Sequence, residues 1–115
     1  MPDIDRLGRV LDRWKAAVDA HDPAAVAANF TEDAIFQGLH PYSIGPRGVA
    51  EYYAAQPQGM TAEYEIREYR RLGDELILGY LSVVFSFTDR PALPVFLSVL
   101  VRGERIEHYQ VSRLT

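Results

Sequence analysis

The 115-residue chain contains no cysteine and only one lysine, Lys15. The first absence excludes disulfides, thiolate nucleophiles and zinc sites built on sulfur. The second leaves arginine to carry nearly all the positive charge, a bias of composition with no chemistry attached. No apolar run approaches the ~20 residues needed to cross a bilayer, so no membrane partner is expected. The first residues, Met-Pro-Asp-Ile-Asp, are acidic and unlike a secretion signal. Together with the missing cysteine, this makes a cytoplasmic location the expectation. The net charge of −4 and the pI of about 5.3 give no basic face for nucleic acid. No Gly-x-Gly-x-x-Gly, phosphate loop or Gly-x-Ser-x-Gly occurs, so no nucleotide or flavin cofactor is expected. The three histidines, His21, His40 and His108, show no His-x-His or His-x-x-x-His spacing. Only His40 and His108 could meet, and no metal site is expected.

What is present is a chain that is 48% hydrophobic, enough for one core. A chain of this length buries roughly two-thirds of its unfolded surface and needs no covalent staple. Ile4, Leu7, Leu11, Trp14 and Val18 recur at helical steps, which predicts a first helix over about Asp3 to Ala20, capped by Asp3. Asp22 and Pro23 start a second helix, with Val26 and Phe30 as its stripe. Thr31-Glu32-Asp33 breaks it before a short strand, Ala34-Ile35-Phe36. Gly38 to Gly48 reads as a loop. Val49, Tyr52 and Tyr53 share one side of a third helix that ends near Gln56-Pro57. Four strands follow: Ala62 to Leu72, Leu76 to Phe87, Val95 to Arg102, and Arg105 to the end. Gly73-Asp74 and Gly103-Glu104 mark hairpin turns.

Helices first and strands later predict an α+β architecture, with three N-terminal helices on one face of a mostly antiparallel sheet. No linker or repeat appears, so residues 1–115 are expected to form one domain. Leu76 to Phe87 is apolar on both faces, so the face without helices needs another cover. A homodimer through the sheet face is therefore expected. It would use Leu76 to Phe87, Val95 to Val101, and an outward set of Glu107, Tyr109 and Val111.

Several segments resemble the nuclear transport factor 2-like superfamily, and within it the SnoaL-like and SgcJ-type group. They are Trp14-Lys15-Ala16-Ala17-Val18-Asp19-Ala20-His21-Asp22, Phe30-Thr31-Glu32-Asp33-Ala34-Ile35-Phe36 and Gly45-Pro46-Arg47-Gly48-Val49-Ala50-Glu51-Tyr52-Tyr53. The ending Arg105-Ile106-Glu107-His108-Tyr109-Gln110-Val111-Ser112 is similar to the group's last strand, with Glu104 and Arg105 where a tryptophan region is usual. The resemblance implies a cone: a curved sheet around helices, with a pocket at the open end. Its members serve as ketosteroid isomerases, polyketide cyclases, epoxide hydrolases, dehydratases, or binding and assembly domains. The isomerases use a carboxylate after the first strand and a tyrosine on the first helix. Here those places hold Phe36-Gln37-Gly38 and Trp14, which speaks against steroid isomerisation.

Side-chain periodicity supplies the candidate site. Asp22 and Asp33 are accounted for by capping and by a turn, and His21 by its place at a helix C-terminus. Strict alternation puts His108, Gln110 and Ser112 on the face of Ile106. With Ile106 inward, His108 and Gln110 form the polar end of a pocket whose apolar wall is Trp14, Phe36, Tyr42 and Tyr53. His40 lies with Tyr42 in the loop over the mouth. His108 is a candidate proton carrier. So is Glu68, which alternation places on the face of Tyr64 and Ile66. The first reading is a SnoaL-like protein that binds a small apolar or aromatic molecule of polyketide type. An enzyme of cyclase, isomerase or dehydratase type is a second. A dimeric assembly domain with a vestigial pocket is a third.

Overall fold

The computed structural model describes residues 3–39 and 41–114. Helix α1 spans Asp3–Asp19 and buries Leu7, Val10, Leu11, Trp14, Ala17 and Val18. It ends with His21 in the left-handed region at φ 51°. There the His21 amide donates to the Val18 carbonyl, and the Asp22 amide to that of Ala17. This paired closure satisfies carbonyls the helix would leave open. Asp22 then caps α2 (Pro23–Ala27), its carboxylate accepting from the Ala25 amide at 3.1 Å.

Helix α2 is only five residues long, so Phe30 belongs to the next element. Strand β1 spans Phe30–Gln37, and Thr31-Glu32-Asp33 falls in an irregular stretch of its pairing with β6, between Phe30 opposite Ile106 and Ile35 opposite His108. Phe30 joins the strand instead of the helix because it is drawn into the core, where its ring packs against those of Phe36 and Tyr109. The glycine-rich loop holds a two-residue strand, β2 (Ser43–Ile44), paired with Ile35 and Phe36. Helix α3 (Pro46–Ala54) starts inside that loop, with proline in its first turn. Strands β3 (Thr61–Arg71), β4 (Leu76–Ser86), β5 (Leu93–Arg102) and β6 (Arg105–Arg113) follow.

The six strands form one curved sheet in the order β2-β1-β6-β5-β4-β3. Only β1 and β6 run parallel. The helices lie over one face. That inner face carries Ile77, Leu81 and Val83 of β4, Val95, Leu97, Val99 and Val101 of β5, and Ile106 and Tyr109 of β6, all buried. Gly79 sits where α1 crosses β4. A Cβ there would come within 3.0 Å of the Leu7 methyls and 3.2 Å of Val99, so the missing side chain lets the helix approach. The turn after β5 is tied to α1: Arg9 and Arg13 pair with the Glu104 carboxylate at 3.0 and 3.4 Å.

The outer face exposes Leu78, Tyr80 and Val84 of β4 beside Phe96 and Leu100 of β5, wholly or in part. Tyr80 and Phe96 stack at 5.3 Å. The outward set expected on β6 is corrected by an irregularity in register. Leu100 pairs with His108, but Val101 pairs with Ile106. The extra residue, Glu107, turns the rest of the strand over. Tyr109 and Val111 therefore face the helices, and Tyr109 is 1% exposed.

Candidate functional site

Under the helices lies an aromatic cluster joined by hydrogen bonds. Trp14 of α1 donates from Nε1 to the Tyr53 hydroxyl of α3 at 3.3 Å. That hydroxyl shares a 3.1 Å hydrogen bond with the Tyr109 hydroxyl of β6. The Tyr109 ring stacks on Phe36 of β1 with centroids 4.6 Å apart. Phe36 meets Tyr52 edge-on at 5.0 Å. Tyr52 in turn closes over Gly38, where a Cβ would stand 2.8 Å from its ring. Four elements thus meet around three polar atoms in an apolar interior. Burial pushes the phenols of Tyr53 and Tyr109 above the ordinary tyrosine range. It does the same, more mildly, for Tyr52, so these groups stay protonated at neutral pH.

Beside this cluster, between α3 and the inner faces of β4, β5 and β6, is a cleft of about 50 Å³. Its walls are Leu39, Met60, Phe85, Phe87, Leu93 and Val111, and its polar edges are Tyr52, Tyr53 and Gln56. The described lining therefore offers phenols and an amide, with no carboxylate, imidazole or amine. Such a surface can hold an apolar molecule and donate hydrogen bonds to a polar atom that it carries. At neutral pH it supplies no proton acceptor of useful basicity. Small-molecule pockets usually measure roughly 300–1,000 Å³, so the core side chains fill most of the expected cavity.

Of the sequence-derived candidates, the structure brings Trp14, Phe36 and Tyr53 together. Trp14 and Phe36 are core residues, and only Tyr53 also lines the cleft. Tyr42 is 63% exposed and outside the lining. His40 lies outside the described residues. His108 and Gln110 are on the opposite face of the sheet from the cluster, opposite Leu100 and Ser98, because the Glu107 bulge reverses the alternation. Glu68 is displaced in the same way. A register shift between Ile66 and Glu68 sets it opposite Tyr80 on the outer face, where it pairs with Arg70 at 3.0 Å. Neither proton-carrier candidate faces the cleft.

Sequence reasoning missed Tyr109 of the cluster and, in the cleft, Leu39, Gln56, Met60, Phe85, Phe87, Leu93 and Val111, and it left out Tyr52 although it had placed that residue beside Tyr53 on α3. The two β6 residues were hidden by the bulge. Phe85 was legible from its place on the Ile77-Leu81-Val83 face. Leu39, Gln56, Met60, Phe87 and Leu93 lie at strand ends and loops, where periodicity carries little. Among the described residues, no three His, Asp or Glu side chains converge as a metal site requires, and no helix is long and apolar enough to span a membrane.

No family model matches the chain, and no curated protein matches it by sequence. Solved structures do. A nuclear transport factor 2-like protein of unknown function from Shewanella oneidensis is 15% identical, with a TM-score of 0.81 over 96% of this chain and 99% of that one. A ketosteroid isomerase-like protein from Erwinia carotovora atroseptica is 19% identical, with a TM-score of 0.74 over 94% and 93%. A Xanthomonas campestris chain carries the provisional name of a calcium/calmodulin dependent protein kinase II association domain. It is 14% identical, with a TM-score of 0.86 over 99% and 89%. At these identities the likeness is one of fold: the chain has the α+β, nuclear transport factor 2-like fold.

Proposed function

We propose that this chain, built on the nuclear transport factor 2-like fold, is a binding module that takes a small apolar molecule at the mouth of its cone. The observation that carries the reading is the chemistry of the cleft lining: six apolar side chains, two protonated phenols and one amide. Enzyme names among the fold's neighbours are not carried over, since the two proton-carrier candidates among the described residues, His108 and Glu68, lie on the other face. A titration of isotope-labelled protein with a set of aromatic fragments, followed by NMR, tests the reading. Shifts should concentrate on Leu39, Tyr52, Met60, Phe87, Leu93 and Val111. Shifts confined to the outer sheet face, or none at all, would refute it.

A second reading is favoured by the cleft's 50 Å³ and by the stacked Tyr80–Phe96 pair. In it the chain is a self-associating assembly domain. Two copies meet through the outer faces of β4 and β5, covering Leu78, Val84 and Leu100. An apolar face of this kind in water favours association, and one neighbour of the fold bears an association-domain name. The two readings are compatible, since the cleft and this face lie on opposite sides of the sheet.

A further inference from the structure

The hydrogen bonds around Tyr53 do not balance among the described residues. Three hydrogens are available: one on Trp14 Nε1 and one on each hydroxyl of Tyr53 and Tyr109. Two bonds join these groups, at 3.3 and 3.1 Å. The indole can only donate, so its hydrogen goes to the Tyr53 oxygen. The bond between the phenols uses one more, and one phenol hydrogen is left over.

Its owner depends on the direction of that bond. If Tyr53 donates, the spare hydrogen belongs to Tyr109. That residue is 1% exposed, does not line the cleft, and among the described residues has only Tyr53 as a hydrogen-bond partner. A buried donor would then go unmet, at the full cost of its desolvation. If Tyr109 donates, the Tyr53 oxygen accepts from both neighbours. Its own hydrogen is then free, on the one member of the chain of bonds that lines the cleft. Accepting two bonds also polarises that O–H and makes it a stronger donor.

We infer that the Tyr53 hydroxyl, held by Trp14 and Tyr109, is the hydrogen-bond donor for the carbonyl oxygen of a flat, uncharged, apolar ligand. The inference rests on the proposed binding at the mouth and gives that ligand a chemical class: a ketone, aldehyde or quinone entering oxygen first. An uncharged ligand fits because no charged side chain is among the described lining. The raised phenol pKa agrees, since it keeps the donor's proton in place at neutral pH. With its oxygen at Tyr53, the ligand's body would lie among Leu39, Phe87 and Leu93.

Acetophenone and ethylbenzene, which differ by a carbonyl against a methylene, are suitable probes. The wild-type protein should bind acetophenone roughly fivefold more tightly, the worth of one net hydrogen bond. The carbonyl stretch should move to lower wavenumber on binding. In Tyr53→Phe the preference and the infrared shift should vanish while ethylbenzene still binds. Equal wild-type affinities with an unshifted carbonyl would overturn the inference and leave the cleft reading standing. Failure of both probes to bind would overturn the cleft reading and the inference with it. Should Tyr53→Phe fail to fold, Tyr109→Phe serves: it removes one of the two bonds to the Tyr53 oxygen, and the carbonyl shift should shrink. An unchanged shift there would overturn the role given to Tyr109.

Discussion

Tyr109 and His21 show how one residue's backbone setting decides its role. Tyr109 is buried because an extra residue precedes it. Its ring holds Phe36, and its hydroxyl holds Tyr53. Phe36→Ala would empty the centre of this stack and should cost about 3–5 kcal/mol, a large part of a typical domain's stability. Urea unfolding measures that directly, and a loss below 1 kcal/mol would mean the cluster repacks freely. His21 occupies a left-handed position that glycine prefers. His21→Gly should therefore raise stability by about 0.5 kcal/mol, after allowing for glycine's freer unfolded chain. A lower unfolding midpoint in that variant would indicate that the histidine side chain contributes something beyond its φ.

At the scale of elements, the helices and the sheet are joined by two kinds of contact. One is steric, with α1 lying on β4 over Gly79. Gly79→Val would drive a branched side chain into Leu7 and Val99 and should cost about 1–3 kcal/mol. The other is electrostatic, between Arg9 and Arg13 on α1 and Glu104 in the turn before β6. The hydrogen bond from Arg9 is the largest influence holding the Glu104 carboxyl below its ordinary 4.5. A depressed folded pKa means that the contribution is present above the unfolded value and is lost as pH falls through the folded one. Stability should therefore drop as the pH goes below 4.5. Glu104→Gln should flatten part of that drop while changing stability little at pH 7, because the pair is solvent-exposed. Identical acid profiles for variant and wild type would remove Glu104 from the account.

For the whole molecule, the apolar outer face bears on assembly. With Tyr80 and Phe96 stacked at its centre, we expect sedimentation at micromolar concentration to give twice 13.0 kDa. Phe96→Glu should halve that mass and leave the fold intact, since Phe96 faces away from the core. A wild-type monomer would refute the assembly reading without touching the cleft, which lies on the other side of the sheet.

Much of this architecture is a matter of local pattern. The stripe of α1, the Asp22-Pro23 start of α2 and the turns before β4 and β6 follow from side-chain spacing and turn chemistry. So does the two-sided apolar character of β4. These depend on neighbours a few residues away, and the sequence by itself determined them. The sides taken by His108, Gln110 and Glu68 depend on bulges in β6 and β3, each an extra residue absorbed between two paired strands. A period-two pattern cannot register such an insertion, and one residue of slip reverses every side chain after it. The short β2 and the early start of α3 were hidden for a related reason: a dense run of glycine and proline resembles loop until a partner strand pairs with it. Tertiary structure alone decided that Tyr109 closes the core. That follows from the pairing of β6 with β1, segments far apart in the chain, where the burial of a whole face outweighs any local preference.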